Sequence, residues 1–359
     1  MALADQSPVS DASLSGGRIL PCQAIEGLIA DRAINLAHPV TDGQIQPASL
    51  DLRLGEKAYR IRASFLPGPD VAVADKLQSL SLHEIDLKDS AVLEVGCVYL
   101  VPLLESLQLP KGLSAACNPK SSTGRLDVFT RVIADHAQAF DQVETGYTGP
   151  LYAEICPQTF PVLVRTGSRL SQVRFREGGA CDSATDPEFP GGVELSVDLA
   201  GDPDTGFVGY RAKRHTGVVD VDAPGAYDLN EFWEPIHAGA QTRLILDPDQ
   251  FYILASKEAV TVPPTHAAEM IPFNPLVGEF RVHYAGFFDP GFGYSGAGGA
   301  GSKAVLEVRS HKVPFILEDG QIIGRLIYEP LTETPSQIYG QGIGSHYQAQ
   351  GLKLSKHFR

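Results

Sequence analysis

The chain is written twice. Tyr99, Glu105, Glu154, Gly167 and Phe175 recur as Tyr252, Glu258, Glu307, Gly320 and Tyr328, each displaced by 153 positions. The flanking text agrees: "VYLVPLLESLQLP" (Val98–Pro110) reads like "FYILASKEAVTVP" (Phe251–Pro263), and "PVLVRTGSRLSQVRF" (Pro161–Phe175) like "PFILEDGQIIGRLIY" (Pro314–Tyr328). One period of this length is too long for a solenoid, so it predicts two tandem copies of one domain. At 359 residues, each copy is large enough to bury its own core. Differences between the copies then indicate which of them works.

Glycine (36) and proline (26) are abundant, and Leu-rich helical stretches are few. That balance favours short strands and turns over helix bundles. The formal charge of −14 argues against a general nucleic-acid binder, which needs a basic surface, but leaves room for one small anion held by local cations. Cys22, Cys97, Cys117, Cys156 and Cys181 form no C-x-x-C pair. Their wide spacing fits reduced thiols in a cytoplasmic protein better than disulfides or a zinc site. Nothing in the sequence approaches a membrane span, and Met1–Gly17 lacks the apolar core of a signal peptide, so a soluble, cytoplasmic protein is expected.

The organisation reads as a disordered arm (1–17), a first domain (18–176), a linker (177–192), a second domain (193–331) and a tail (332–359) that can act as a lid. Leu20–Ile34 has apolar positions near helical spacing, whereas "AVLEVGCVYLVPL", "GPLYAEICPQ", "TRLILDPDQFYILA" and "AVLEVRSHKVPFILEDG" read as strands. "GYSGAGGAGS" (Gly293–Ser302) reads as a flexible insertion at a hairpin tip.

The chemistry concentrates in "NPKSSTGRLDV" (Asn118–Val128). Lys120, Ser121, Ser122 and Arg125 bring two cations and two hydroxyls beside a glycine, a combination suited to a polyphosphate. The matching stretch of the second copy puts Pro275, Leu276 and Glu279 where Ser121, Ser122 and Arg125 stand, and an acid there would repel phosphate. Each copy then has a hairpin with an Asp four residues after an Ala (Ala137/Asp141 and Ala285/Asp289), followed by a Glu in an apolar run, Glu154 or Glu307. A carboxylate buried in such a run has a raised pKa and is a candidate general base or acid.

"PASLDLRLG" (Pro47–Gly55), "PKSSTGRL" (Pro119–Leu126), "AQAFD", "GYTGPLYAE", "FFDPGFG" and the tail "IYGQGIGSHYQAQG" (Ile338–Gly351) together resemble the dCTP deaminase branch of the dUTPase-like superfamily. The resemblance covers nearly the whole chain, one unit per copy. It implies a mainly β fold of two tandem dUTPase-like β-clip domains, each a distorted jelly-roll barrel with a few short helices. It further implies a homotrimer with sites between subunits. The activity implied is hydrolytic deamination of dCTP to dUTP and ammonia, without zinc and with Mg2+ carried on the triphosphate.

Carried over by position, Glu154 matches the catalytic glutamate, with Ser121 and Arg125 beside it. Lys120 and Ser122 face phosphate, the backbone of Ala137 reads the cytosine edge, and Asp141 lies near the deoxyribose. Tyr339, His346 and Gln350 belong to the ligand-closing tail, His346 standing where a lysine is usual. Asp289 and Glu307 form a second candidate pair, and residues from both copies can complete one composite site. The partners implied are dCTP and dUTP, with dTTP as a candidate inhibitor. A dUTP pyrophosphatase or bifunctional deaminase/dUTPase is the alternative activity, with Asp141 or Asp289 activating water at the α-phosphate. A non-catalytic nucleotide-binding structural protein is the alternative of a different class.

Overall fold

Apolar runs of four to eleven residues, broken by turn residues, fold into strands throughout the computed structural model. It describes residues 16–179, 186–239, 242–272, 280–283, 286–297, 300–310, 312–340 and 352–359. Helices are short: Cys22–Ala30, Val73–Leu80, Ser121–Gly124 and Leu229–Phe232. The first falls inside the helical reading of Leu20–Ile34 and ends where Arg32 takes a positive φ of 60°. Among the described residues, no helix is long and apolar enough to cross a membrane.

The two halves repeat one strand order. In the first half, Gln142–Val143, Leu113–Pro119, Arg169–Glu177 and Ser49–Arg53 are successive neighbours in one sheet. In the second half, Phe287–Phe288, His266–Pro272, Ile322–Pro330 and Val193–Ser196 follow the same order. A companion sheet runs Val128–Ala134, Thr148–Pro157, Val98–Gln108, Lys57–Ile61, Ser81–Asp86 in the first half. Its counterpart runs Phe280–His283, Ser302–Ser310, Phe251–Val260, Phe207–Ala212, Trp233–His237. Pro102 interrupts a central strand, and the ladder accommodates it with a register shift between Pro150 and Tyr152 on the facing strand.

The expected pair of jelly-roll, β-clip barrels is corrected here, although the mainly β content with few short helices holds. Among the described residues, strands divide among six open sheets, five of three or more strands and one two-stranded ribbon. A barrel needs a hydrogen-bond ladder that returns to its first strand. Here the outer strands are often only two residues long, as in Gln142–Val143 and Ile45–Gln46, and among the described residues they do not pair with each other.

Four of the five recurring positions are structural. The Tyr99 hydroxyl accepts the N–H of Glu94 at 3.0 Å, and Tyr252 accepts that of Asp247 at 2.9 Å. Glu105 takes the N–H and Nε of Arg53, both at 2.7 Å, while Glu258 takes the N–H and hydroxyl of Ser196 at 2.8 and 2.6 Å. Gly167 and Gly320 supply positive φ at equivalent turns, and Phe175 and Tyr328 are buried. Glu154 and Glu307 alone part company, as described below.

Each half has an apolar core, and a third cluster draws on both. It joins Phe160, Val162 and Tyr99 of the first half to Trp233, Phe251 and Val305 of the second, with Leu354 from the tail. Polar contacts also cross between halves. The Arg174 guanidinium donates to the carbonyls of Ala268 at 3.1 Å and Phe288 at 3.3 Å, and Arg176 pairs with Glu329. Of the cysteines, Cys22, Cys117 and Cys156 are buried, Cys97 is half-buried and all four are free thiols; Cys181 lies outside the described residues.

Candidate active site

The strand Leu113–Pro119 ends at Lys120, and a single helical turn, Ser121–Gly124, follows. The turn buries Ser122, Thr123 and Arg125 and leaves Lys120 and Ser121 half-exposed. Lys120, Ser121, Ser122 and Arg125 form one wall of a cavity of about 470 Å³. The opposite wall belongs to the second half: Phe287, Phe288 and Asp289 from the hairpin, and Val305 and Glu307 from the strand Ser302–Ser310. The pocket therefore lies between two halves of one chain, at a size that suits a small-molecule ligand.

Two groups of charge line it. At one, Arg125 Nε stands 3.8 Å from Glu307 Oε1, and Arg125 Nη1 donates to the carbonyl of Lys353 at 2.9 Å. Glu307 is 4% exposed, and burial pushes its carboxyl up to about 8, with Arg125 pulling the other way. At the other, Asp51 is fully buried, pairs with Lys120 and lies 3.4 Å from Arg169 Nη1. Lys356 and Asp222 line the same pocket.

Asp289 is also pushed up by burial, to about 6, opposed by Arg174, whose Nη2 lies 3.8 Å from Oδ1. The following Gly291 must be glycine. Its φ is 98°, and a Cβ would sit 2.7 Å from the Tyr339 carbonyl oxygen. The Tyr339 N–H donates to the Pro290 carbonyl at 2.7 Å, so the tail is anchored on the hairpin, and its ring lies 5.9 Å from that of Phe292.

Of the residues singled out in the sequence, Lys120, Ser121, Ser122, Arg125, Asp289, Glu307 and Tyr339 come together in this pocket. Glu154, Asp141 and Ala137 do not line it. Glu154 Oε1 is held by Arg131 Nη2 at 2.7 Å and Nε at 3.2 Å. That guanidinium lies 3.5 Å from the Phe140 ring centroid and 4.5 Å from that of Phe129, so an internal cation fills the space before the carboxylate. Asp141 accepts the N–H of Val132 at 2.7 Å and is pushed up to about 7 by burial. The Ala137 carbonyl is taken by the N–H of Gly68 at 3.1 Å. His346 and Gln350 lie outside the described residues, as do Pro275, Leu276 and Glu279.

Asp51, Arg169 and Lys356 escaped the sequence reading. Asp51 sits inside the quoted "PASLDLRLG", where its alternation with Leu50 and Leu52 offered a signal. Nothing in the sequence pointed to Arg169 or Lys356.

A buried carboxyl, Glu307, and a half-buried one, Asp289, both with raised proton affinity, stand beside Lys120 and Arg125, an arrangement suited to acid–base chemistry on a small anion. Comparisons with known proteins give that chemistry a family. The sequence model of the 2'-deoxycytidine 5'-triphosphate deaminase (DCD) N-terminal domain matches residues 16–179, and that of the C-terminal domain matches residues 168–358. The crystal structure of 2'-deoxycytidine 5'-triphosphate deaminase from Agrobacterium tumefaciens is similar, with a TM-score of 0.84 and 58% identity over 89% of this chain and 99% of that one. The chain belongs to the dCTP deaminase family, and it is an enzyme.

Among curated relatives, the "dCTP deaminase, dUMP-forming" of Coprothermobacter proteolyticus is 30% identical over 44% of this chain and 81% of its own length. The dCTP deaminase of Halorubrum lacusprofundi is 33% identical over 38% of this chain and 65% of its own. The expectation that the reaction stops at dUTP is corrected by such relatives: those from C. proteolyticus, Dictyoglomus turgidum and Dictyoglomus thermophilum are all dUMP-forming.

Proposed function

We propose that this chain converts dCTP and two waters to dUMP, ammonia and pyrophosphate within the one pocket. The observation that carries the reading is the presence of two carboxyls with raised proton affinity, Glu307 and Asp289, in a single cavity with Arg125 and Lys120. Glu307 takes a proton from the water that attacks C4 and delivers it to N3. Glu307 next carries the proton of the new C4 hydroxyl to the amino group, and the tetrahedral centre collapses to the carbonyl, breaking the C4–N bond and releasing ammonia. Arg125 steadies the ionised carboxylate, and Ser121 orients the water or the departing amine. This assigns to Glu307 the role that family position had pointed to at Glu154.

Asp289 then serves as base for a second water at the α-phosphate, where the bond to the bridging oxygen breaks and pyrophosphate leaves. Lys120, Ser122 and Arg169 hold the triphosphate, whose contacts align the base for attack. Mg2+ enters with the nucleotide in this reading. Asp51 Oδ1 and Asp289 Oδ1 are buried without a hydrogen-bond partner among the described residues, which fits a hydrated cation nearby. Bound there, the ion would offset phosphate charge. A trimer of two-domain chains, with dTTP competing through the same triphosphate contacts, belongs to the same proposal.

The test is incubation with dCTP and Mg2+, with dCTP, dUTP and dUMP separated over time. Ammonia and pyrophosphate should appear one to one, with dUMP as the nucleotide product. Stoichiometric accumulation of dUTP would overturn the bifunctional reading.

A further inference from the structure

The last eight residues form a strap docked across both halves, on Ser122 and Arg125 of the first and on Val221, Gly225 and Tyr227 of the second. Leu354, Ser355 and His357 are buried. The Ser355 hydroxyl donates to the carbonyl of Ser122 at 2.8 Å, inside the phosphate-suited turn. Arg125 grips the carbonyl of Lys353, as described above, and the His357 ring lies 2.8 Å from the Val221 carbonyl through Nε2. Phe358 packs 5.3 Å from Phe232 and 5.8 Å from Trp233, within the aromatic cluster of the shared core.

This anchoring fixes one side chain over the pocket. The Lys356 carbonyl accepts the N–H of Gly225 at 2.9 Å, so its backbone is set, and its side chain lines the cavity beside Lys120, Arg169 and Asp222. Lys120 and Arg169 already share Asp51, which cancels part of their charge. A nucleoside triphosphate entering this end meets too little net positive charge without a further cation. We propose that Lys356 is a specificity-determining contact for the triphosphate, the strap delivering a cation that lets the site prefer a nucleoside triphosphate over a monophosphate.

Burial and the neighbouring Lys120 lower the proton affinity of Lys356 in the ligand-free pocket, while Asp51 and Asp222 oppose the change. An arriving polyanion restores it, so binding and protonation reinforce each other. The inference rests on the proposed function for the identity of the ligand, yet its test does not depend on turnover.

The full chain is compared with Lys356→Met and Lys356→Arg. Binding of inorganic tripolyphosphate and of dCMP, each with Mg2+, is read by calorimetry, and dCTP turnover by product release. For Lys356→Met, tripolyphosphate affinity and the KM for dCTP should each worsen about tenfold, the scale of one lost charge-assisted contact. Affinity for dCMP should stay within about twofold, kcat within about threefold, and Lys356→Arg should recover most of the loss. An equal loss for dCMP, or a fall in kcat at constant KM, overturns the assignment. So does undiminished tripolyphosphate binding by a folded Lys356→Met chain. If wild-type chain makes no dUMP, the functional reading fails while the tripolyphosphate comparison still decides the role of Lys356.

Discussion

Replacing Glu307 by Gln should remove catalysis and, less obviously, change how stability depends on pH. In the unfolded chain this carboxyl titrates near 4.5, and burial in the fold raises it to about 8. Between those values the folded state holds a proton that the unfolded state has released. Stability therefore falls as pH rises, by about 1.4 kcal/mol per pH unit for one proton. The contribution is fully present below the unfolded value and is lost as pH passes through about 8, a total on the order of 5 kcal/mol.

Glutamine keeps the shape and has no such proton. Urea denaturation of wild-type and Glu307→Gln chains at half-unit steps from pH 5.5 to 9 isolates the effect, because Asp141 and Asp289 titrate in both and cancel. The wild-type curve should fall relative to the variant with that slope and run parallel to it above about pH 8, with equal m-values. Ammonia release by the variant should drop at least about a hundredfold, the scale of a lost general base. Parallel stability curves across the whole range would refute the buried-carboxyl argument. Wild-type turnover by the variant would refute the catalytic one.

Other outcomes follow from the same geometry. Glu154→Gln should leave dUMP formation within about threefold but cost about 1–3 kcal/mol in denaturation, because Arg131 loses its charged partner. Asp289→Asn should uncouple the products, with ammonia released while pyrophosphate lags at least about a hundredfold and dUTP builds up; equal loss of both would contradict separate waters. Lys120→Ala should act mainly on the KM for dCTP and Arg125→Ala mainly on kcat, and identical effects of the two in steady-state kinetics would deny that division.

The sequence made the duplication plain because latches such as Tyr99 on the N–H of Glu94, repeated as Tyr252 on that of Asp247, demand fixed residue types at fixed spacing. The turn around Lys120 and Arg125 was equally visible, since cations, hydroxyls and glycine seldom cluster without a reason. Sheet closure was not. Alternation reports which face of a strand is buried and says nothing of whether the outermost strands find each other, so the barrels inferred by resemblance gave way to open sheets. The choice between Glu154 and Glu307 was hidden for a different reason, because their flanking runs are alike. What separates them is cross-strand pairing, which sets Arg131 opposite Glu154, where its guanidinium holds the carboxylate. Lys356 could not be foreseen, because its place depends on where the strap lands.

The placement of the pocket between two halves of one chain has a consequence for how such a protein behaves in a cell. A cavity assembled from separate molecules empties of function on dilution, since its walls part company when their concentration falls below the dissociation constant. Here the described walls are joined by peptide bond and by a common core, so each meets its counterpart at a fixed, high effective concentration whatever the abundance of the protein. The same tether fixes their ratio at one to one, and damage to either half's contribution cannot be masked by an intact copy on the other.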